Sequence, residues 1–351
     1  MPINARSQIA LLSLATAVPP HILHQEEAKD LARSIFGGRT RHFERLESVF
    51  DNAGIATRHT VRPKQWYAEH RGWSERNEVY LDGAEQLFVE AAEAALAGAG
   101  IGAGEVDGVV TVSTTGIATP SLDARAARRI GFRDDIERVP IFGTGCAGGV
   151  TGLALAARLA AGGKTILFVT VELCSTSIRL DKFTKANIVA TALFADGAAA
   201  CVVRGGDGGI ARISGGAEIL WPDTLGIMGW DVEDPGLGVI FDRAIPPFVE
   251  QHMAEGVRRI AAKCGLAVAE IDRFTCHPGG AKVVTALEQS LQLATGTLDL
   301  EREVLRDFGN MSAPTVLFVL ERLLARRFSG RTMLLALGPG FTASGLALDC
   351  G

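Results

Sequence analysis

The sequence predicts an α/β protein built from two related halves, and three observations carry that reading. From about residue 100 onward, short apolar runs alternate with amphipathic helical ones, the mark of strands feeding helices. The order of these units is repeated once along the chain at equal intervals: Val112 to Cys146 and Cys276 to Asn310 each span 34 positions. The composition, 47% hydrophobic and 21% charged over 351 residues, is that of a globular enzyme with a sizeable core.

The elements follow in order. The start, MPINARSQIALLSLATAVPP, reads as a first strand, because it lacks the basic stretch and long apolar run of a signal peptide. Helical spacing of apolar residues predicts helices over HQEEAKDLARSIF, RHFERLESVFDNAGI and DGAEQLFVEAAEAALAGAG. In the first half, strand DGVVTVS leads through TTGIATP into helix SLDARAARRIG, followed by FGTGC and its helix. Strand TILFVTVE comes next, and ALFADGAAACVVRG closes the half. In the second half, strand DRFTC leads through HPGG into helix AKVVTALEQSLQL. Then come DFGNMSAP with helix TVLFVLERLLARR, strand TMLLALG and the closing GPGFTASGLALDC. The divide falls near RGGDGG, giving halves 1–207 and 208–351. Any α/β chain alternates strand and helix, but agreement across three units favours duplication.

Composition also excludes functions. A net charge of −5 with no basic block leaves no electrostatic footprint for nucleic acid or a membrane surface. No run approaches the roughly 18 apolar residues of a membrane span. Six cysteines without a CxxC pair argue against a zinc site or a disulfide framework, so a reduced, cytoplasmic protein without bound metal is expected.

In α/β sheets ligands collect at the carboxyl ends of strands. Three chemically capable residues occupy such loops: Cys146, His277 and Asn310. Cys146 stands among Gly145, Gly148 and Gly149 at a helix start, where free N–H groups and the helix dipole favour the thiolate. The ordinary fate of a cysteine is a small buried hydrophobe, and that reading is given to Cys174, Cys201, Cys264, Cys276 and Cys350. Among seven histidines only His277 sits at a strand end before a glycine turn, where it can pair with a thiolate and handle protons. Asn310 can be a helix N-cap or an amide donor to a developing oxyanion.

Two chemistries use such a set. A papain-like hydrolase has the same residue order, and the interval of 131 from Cys146 to His277 is compatible. That family's C-G-[SA]-C-[WY] stretch is absent, however, and its cysteine lies near the mature N-terminus. Carbon–carbon bond formation fits better: a thiolate takes an acyl group from a thioester, while neutral imidazole and carboxamide N–H groups hold the oxygen of an enolate.

At these residues the chain resembles the chalcone synthase-related family, the type III polyketide synthases of the thiolase superfamily. The shared stretches are GCAGG around Cys146, ALFADGAA around Phe194, HPGG at His277, GNMSAPT at Asn310 and GPG at Gly338, Pro339 and Gly340. Initiating ketoacyl synthases share Cys, His and Asn but carry Gln-Ala-Asn after the histidine; a single-condensation enzyme of that kind is the alternative. The resemblance implies a five-layered αβαβα thiolase-like fold, a homodimer, acyl-CoA and malonyl-CoA as substrates, and no bound cofactor. It makes Cys146 the acyl carrier, His277 and Asn310 the decarboxylation pair, and Phe194 a gatekeeper. It further implies cavity positions for Glu172, Cys174 and Ser177, a loop at Thr119 crossing into the partner subunit, and Met228 in place of a second gatekeeper phenylalanine. Basic residues that bind CoA phosphates in plant members are reduced here to Arg45, with Arg58 as a further candidate. KANIVATALFADGAAACVV with VELCS is most similar to bacterial members that make alkylpyrones and alkylresorcinols from long fatty acyl starters; short or aromatic starters are the other option.

Overall fold

The fold was analysed in a computed structural model that describes residues 8–37 and 43–351, the side chains of Glu44 and Arg45 excepted. The chain opens with β1 (Ile9–Ala17) and a small hairpin of β2 (His21–His24) and β3 (Thr57–Thr60). β4 (Gly108–Val112), β5 (Glu137–Ile141), β6 (Thr165–Leu173) and β7 (Asp196–Gly205) complete the first half. The second half has β8 (Ala211–Leu220), a hairpin of β9 (Met228–Glu233) and β10 (Gly236–Phe241), then β11 (Arg273–Cys276), β12 (Gly330–Gly338) and β13 (Thr342–Cys350).

Nine of these strands run in the order β11-β12-β13-β8-β1-β7-β6-β4-β5. The pairing makes the duplication visible. β7 lies antiparallel between β6 and β1, and β13 lies antiparallel between β12 and β8. β4 is parallel to β6, as β11 is to β12. The halves join where Ile9–Leu11 of β1 meets Ile213–Ala211 of β8.

Burial orders the layers. β6 is buried along its whole length, which its near-continuous apolar sequence requires of a strand covered on both faces. Helices Gly148–Leu159 and Thr315–Ala325 sit centrally, packed against strands of both halves in one cluster that includes Ile9, Phe168, Leu334 and Leu346. Helix Trp73–Ala99 covers the other face of the first half, and helices Ile245–Lys263 and Ala281–Ser290 cover that of the second. The result is the expected five-layered αβαβα arrangement. The two central helices touch closely: a Cβ on Gly149 would lie 2.2 Å from the carbonyl oxygen of Ala313.

The local expectations hold with three corrections. The long helix begins at Trp73, not Asp82, and ends on Gly100 in the left-handed conformation. Of the stretch over 41–55, residues 41 and 42 lie outside the described residues, and the rest is not one helix but two short ones, Phe43–Leu46 and Ser48–Asp51, with Asn52–Gly54 closing the second. The repeat is also imperfect: strand β5 precedes Cys146, whereas the strongly amphipathic helix Asp299–Phe308 precedes Asn310.

Candidate active site

Two loops at the carboxyl ends of strands and one at the end of a helix build the site, so the expected strand end before Asn310 is corrected. Cys146 follows β5 in a 3-10 turn, Gly145–Ala147, that runs directly into helix Gly148–Leu159. Gly145 has φ 48°, and a Cβ there would lie 2.6 Å from the ring of Pro339, so glycine is required on both counts. His277 follows β11, its N–H donating to Leu335 O at 2.8 Å. Asn310 follows its helix through Gly309 and pairs with Phe194 as an isolated parallel bridge, Asn310 N donating to Leu193 O and Ala195 N to Asn310 O, both at 2.9 Å.

These three residues line one small cavity of about 20 Å³, room for about one water, walled otherwise by apolar side chains including Met228, Phe241 and Met253. Cys146 and Asn310 also line an adjoining cavity of about 40 Å³ with Cys174, Phe194, Met228 and Pro339.

The carboxamide is held at both ends. Asn310 Oδ1 accepts from Ser312 N at 2.8 Å, and Nδ2 donates to Gly279 O at 3.0 Å. One carboxamide N–H remains for a ligand. Both ring nitrogens of buried His277 lack a partner in the described structure. Burial lowers the imidazole pKa to about 4, so His277 is a neutral imidazole with one N–H to offer. Burial likewise pushes the Cys146 thiol up to about 11, although the residue keeps partial exposure and the Ser312 hydroxyl, 3.4 Å from Sγ, pulls in the opposite direction. No Cys146–His277 hydrogen bond forms in the described structure, so the expected ion pair is not made there, and burial opposes the thiolate that the helix terminus favours.

The remaining expected residues divide. Phe194 lines the cavity with its ring edge-on to Trp230, centroids 6.2 Å apart. Cys174, Met228 and Pro339 line it as well, while Gly338 and Gly340 flank Pro339 without doing so. Glu172 is fully buried behind the wall, accepting from the N–H groups of Thr114 and Thr115 and from the Thr115 hydroxyl; burial raises its pKa to about 7. Ser177 is buried, donating to Cys174 O at 2.7 Å, and does not reach the cavity. Thr119 is exposed, away from these cavities.

The expected phosphate contact at Arg58 is corrected. Arg58 is 1% exposed, and its guanidinium donates to Thr191 O, Ala192 O and Phe194 O and to Gln25 Oε1. It caps the carboxyl end of helix Lys185–Leu193, the segment that delivers Phe194. The side chain of Arg45 lies outside the described residues. A larger cavity of about 440 Å³ adjoins the inner one, sharing Phe241, Gly279 and Val283 with it. Lys185, Arg243 and Lys282 line it, and their side chains have no hydrogen-bond or ion-pair partner in the described structure.

Sequence reasoning missed Ser312 and Trp230. Ser312 was visible only as a potential helix cap within DFGNMSAP, and Trp230 only as one apolar residue of MGWDVEDPGL. No group of three or more His, Cys, Asp or Glu among the described residues is arranged to hold a metal, and none of their helices is long and apolar enough to cross a membrane.

A duplicated five-layer fold presenting thiol, imidazole and carboxamide on one cavity defines a thiolase-like condensing enzyme. The profile of chalcone and stilbene synthases matches the chain twice, its N-terminal domain over residues 1–207 and its C-terminal domain over residues 213–350. The chain is 39% identical to 1,3,6,8-tetrahydroxynaphthalene synthase of Streptomyces peucetius subsp. caesius, covering 95% of this chain and 91% of that protein. It is 27% identical to an alpha-pyrone synthesis polyketide synthase-like protein of Mycobacterium tuberculosis, covering 96% and 90%. The crystal structure of 1,3,6,8-tetrahydroxynaphthalene synthase from Streptomyces coelicolor A3(2), a bacterial type III polyketide synthase, superposes with a TM-score of 0.91 at 29% identity, covering 97% of this chain and 99% of that one. The chain belongs to the chalcone and stilbene synthase family and is a type III polyketide synthase, an acyltransferase whose substrates are CoA thioesters.

Proposed function

We propose that this synthase loads a long-chain fatty acyl group from its CoA thioester onto Cys146 and extends it with malonyl-CoA, then releases an alkylpyrone or alkylresorcinol. The first half, 1–207, supplies the nucleophile, and the second, 208–351, supplies the two donors. The observation that carries this reading is the meeting of Cys146, His277 and Asn310 on one apolar cavity.

In loading, Cys146 gives up its thiol proton and its sulfur forms a bond to the acyl carbon; the bond from that carbon to CoA sulfur breaks, its electron pair goes to the CoA sulfur, and that sulfur takes up a proton and leaves as the free thiol. Malonyl-CoA then places its thioester oxygen against the free N–H groups of His277 and Asn310. Loss of CO2 leaves an enolate on that oxygen, and neutral donors stabilise it without protonating its carbon. The enolate carbon attacks the Cys146 thioester, and the sulfur leaves as thiolate. Lys185, Arg243 and Lys282 at the outer cavity suit the phosphates of CoA. A homodimer belongs to the same reading, supported by exposed Ile117 and Phe142 near Thr119 and at the end of edge strand β5.

The apolar wall of Cys174, Met228, Trp230 and Val239 supports an aliphatic tail. The small inner cavities and the naphthalene product named for the Streptomyces relatives favour a second reading, short malonyl-derived starters. Incubation with acyl-CoAs of graded length plus malonyl-CoA, with products identified by mass, separates the two. Exclusive use of short or aromatic starters defeats the long-chain reading.

A further inference from the structure

We propose that Glu301 is a positioning residue for decarboxylation, its carboxylate pinning the end of β11 that carries His277 to the helix that carries Asn310. The inference rests on His277 and Asn310 acting together as the decarboxylation pair.

β11 is an edge strand of the sheet, paired on one side with β12. Successive N–H groups at its carboxyl end point opposite ways. His277 N donates inward to Leu335 O at 2.8 Å, whereas Cys276 N faces off the edge, where no strand accepts it. Glu301 Oε1 takes that donor at 3.1 Å. Glu301 stands in the first turn of helix Asp299–Phe308 and is fully buried. Arg273, also on β11, donates from Nη2 to both carboxylate oxygens at 3.3 and 3.0 Å and from Nη1 to Thr297 O at 3.1 Å. Burial raises the Glu301 carboxyl pKa to about 7, while Arg273 and the Cys276 N–H pull it down.

The helix transmits this hold. From Glu301 to Phe308 it runs about 10 Å as one element, and Gly309 then delivers Asn310. Its far end is fixed to the first half of the molecule: Ala56 N donates to Arg306 O and the Thr57 hydroxyl to Asp307 O, both at 2.7 Å. The two donors that must meet one thioester oxygen thus come from different elements, His277 from a strand and Asn310 from a helix. Asn310 Nδ2, donating to Gly279 O at 3.0 Å, joins the two loops themselves. Glu301 joins the elements behind those loops and sets the spacing from which both side chains reach the cavity.

A buried ion pair is a costly way to hold a strand. Two well-packed apolar side chains of similar volume serve stability as well or better. They would leave the Cys276 N–H without a partner, however, and the next residue is the one whose ring must be aimed. The carboxylate is therefore accounted for by placement of His277 and not by stability.

Two double variants isolate the acceptor. Arg273→Met with Glu301→Met removes both charges and orphans the Cys276 N–H; Arg273→Met with Glu301→Gln keeps a carbonyl oxygen for it. CO2 release from malonyl-CoA and acyl loading of Cys146 by intact mass are measured on each full-length protein, at a temperature where circular dichroism shows it folded. The methionine pair should lower kcat for decarboxylation about tenfold or more, the scale of a displaced catalytic group, with loading within about twofold of wild type. The glutamine variant should return decarboxylation to within about twofold of wild type, because its acceptor is retained. Equal decarboxylation by the two variants, or loading lost in parallel with decarboxylation, overturns the proposal and leaves the roles of His277 and Asn310 standing. A methionine pair that does not fold also overturns it, since the carboxylate would then serve stability. Decarboxylation at the wild-type rate by Asn310→Ala overturns both the proposal and the reading beneath it.

Discussion

An imidazole that stabilises an enolate should be neutral, and burial makes His277 so. Its pKa falls from 6.5 to about 4, with burial as the cause. That drop multiplies the ratio of neutral to charged imidazole about 300-fold, about 3.4 kcal/mol at 1.36 per pH unit. At pH 6 an ordinary histidine is roughly three-quarters charged, whereas His277 should be about 99% neutral. The perturbation is pH itself, applied to the Cys146→Ala variant so that thiol titration does not contribute. Acetyl-CoA formed from malonyl-CoA is measured at constant ionic strength from pH 5 to 8. The decarboxylation rate should change less than about twofold between pH 8 and 5.5. A fall with a midpoint near 6.5 refutes the reasoning, because it would report an imidazole titrating as it does in water. The same burial has a stability consequence with a defined sign. A histidine with depressed folded pKa contributes stability above 6.5 that is lost as pH falls from there through about 4. Buried Glu172 runs the other way: its pKa is raised to about 7, so its contribution is present below 4.5 and lost as pH rises through 7.

Three further outcomes follow from the packing and the charge layout. Arg58→Met removes the donors to Thr191, Ala192 and Phe194 carbonyls; unfolding should cost about 3–5 kcal/mol less and Tm fall by roughly 4–7 °C, while KM for malonyl-CoA of the folded fraction stays unchanged. Gly149→Ala drives a methyl onto the Ala313 carbonyl, so denaturant melts should show a loss of about 1–3 kcal/mol, and acyl loading of Cys146 by intact mass should slow as its turn shifts. Replacing Lys185, Arg243 or Lys282 by alanine should each raise KM for malonyl-CoA about two- to fivefold at low salt with little change in kcat, and the effect should fade at high salt.

Cys146 and His277 were legible because α/β chemistry concentrates at strand ends, and strand ends can be read; Asn310, which follows a helix, was legible by its interval. The equal intervals to Cys146 and to Asn310 mark equivalent loops of two halves, and β4 and β11 do occupy equivalent places in the sheet. What escaped depended on tertiary surroundings. Arg58 looks like a surface cation because arginine usually is one; only the packed fold shows it buried against a helix end. The burial that opposes ionisation of Cys146 is not readable in the sequence, because helix entry is a local signal and desolvation is not. Helix Asp299–Phe308 replaces a second copy of β5, since its amphipathic pattern overrides the repeat. Trp230 acquires its place against Phe194 through the β9–β10 hairpin, and sequence spacing holds no trace of that pairing.

The central claim is a division of labour between the halves, thiol for acyl transfer and carboxamide with imidazole for decarboxylation. Asn310→Ala tests it most directly, with acyl loading of Cys146 by intact mass and CO2 release from malonyl-CoA measured on the same preparation. Loading should survive within about twofold while decarboxylation falls about 100-fold or more, the scale of one lost oxyanion donor. Loss of loading alongside decarboxylation, or decarboxylation at the wild-type rate, would contradict it.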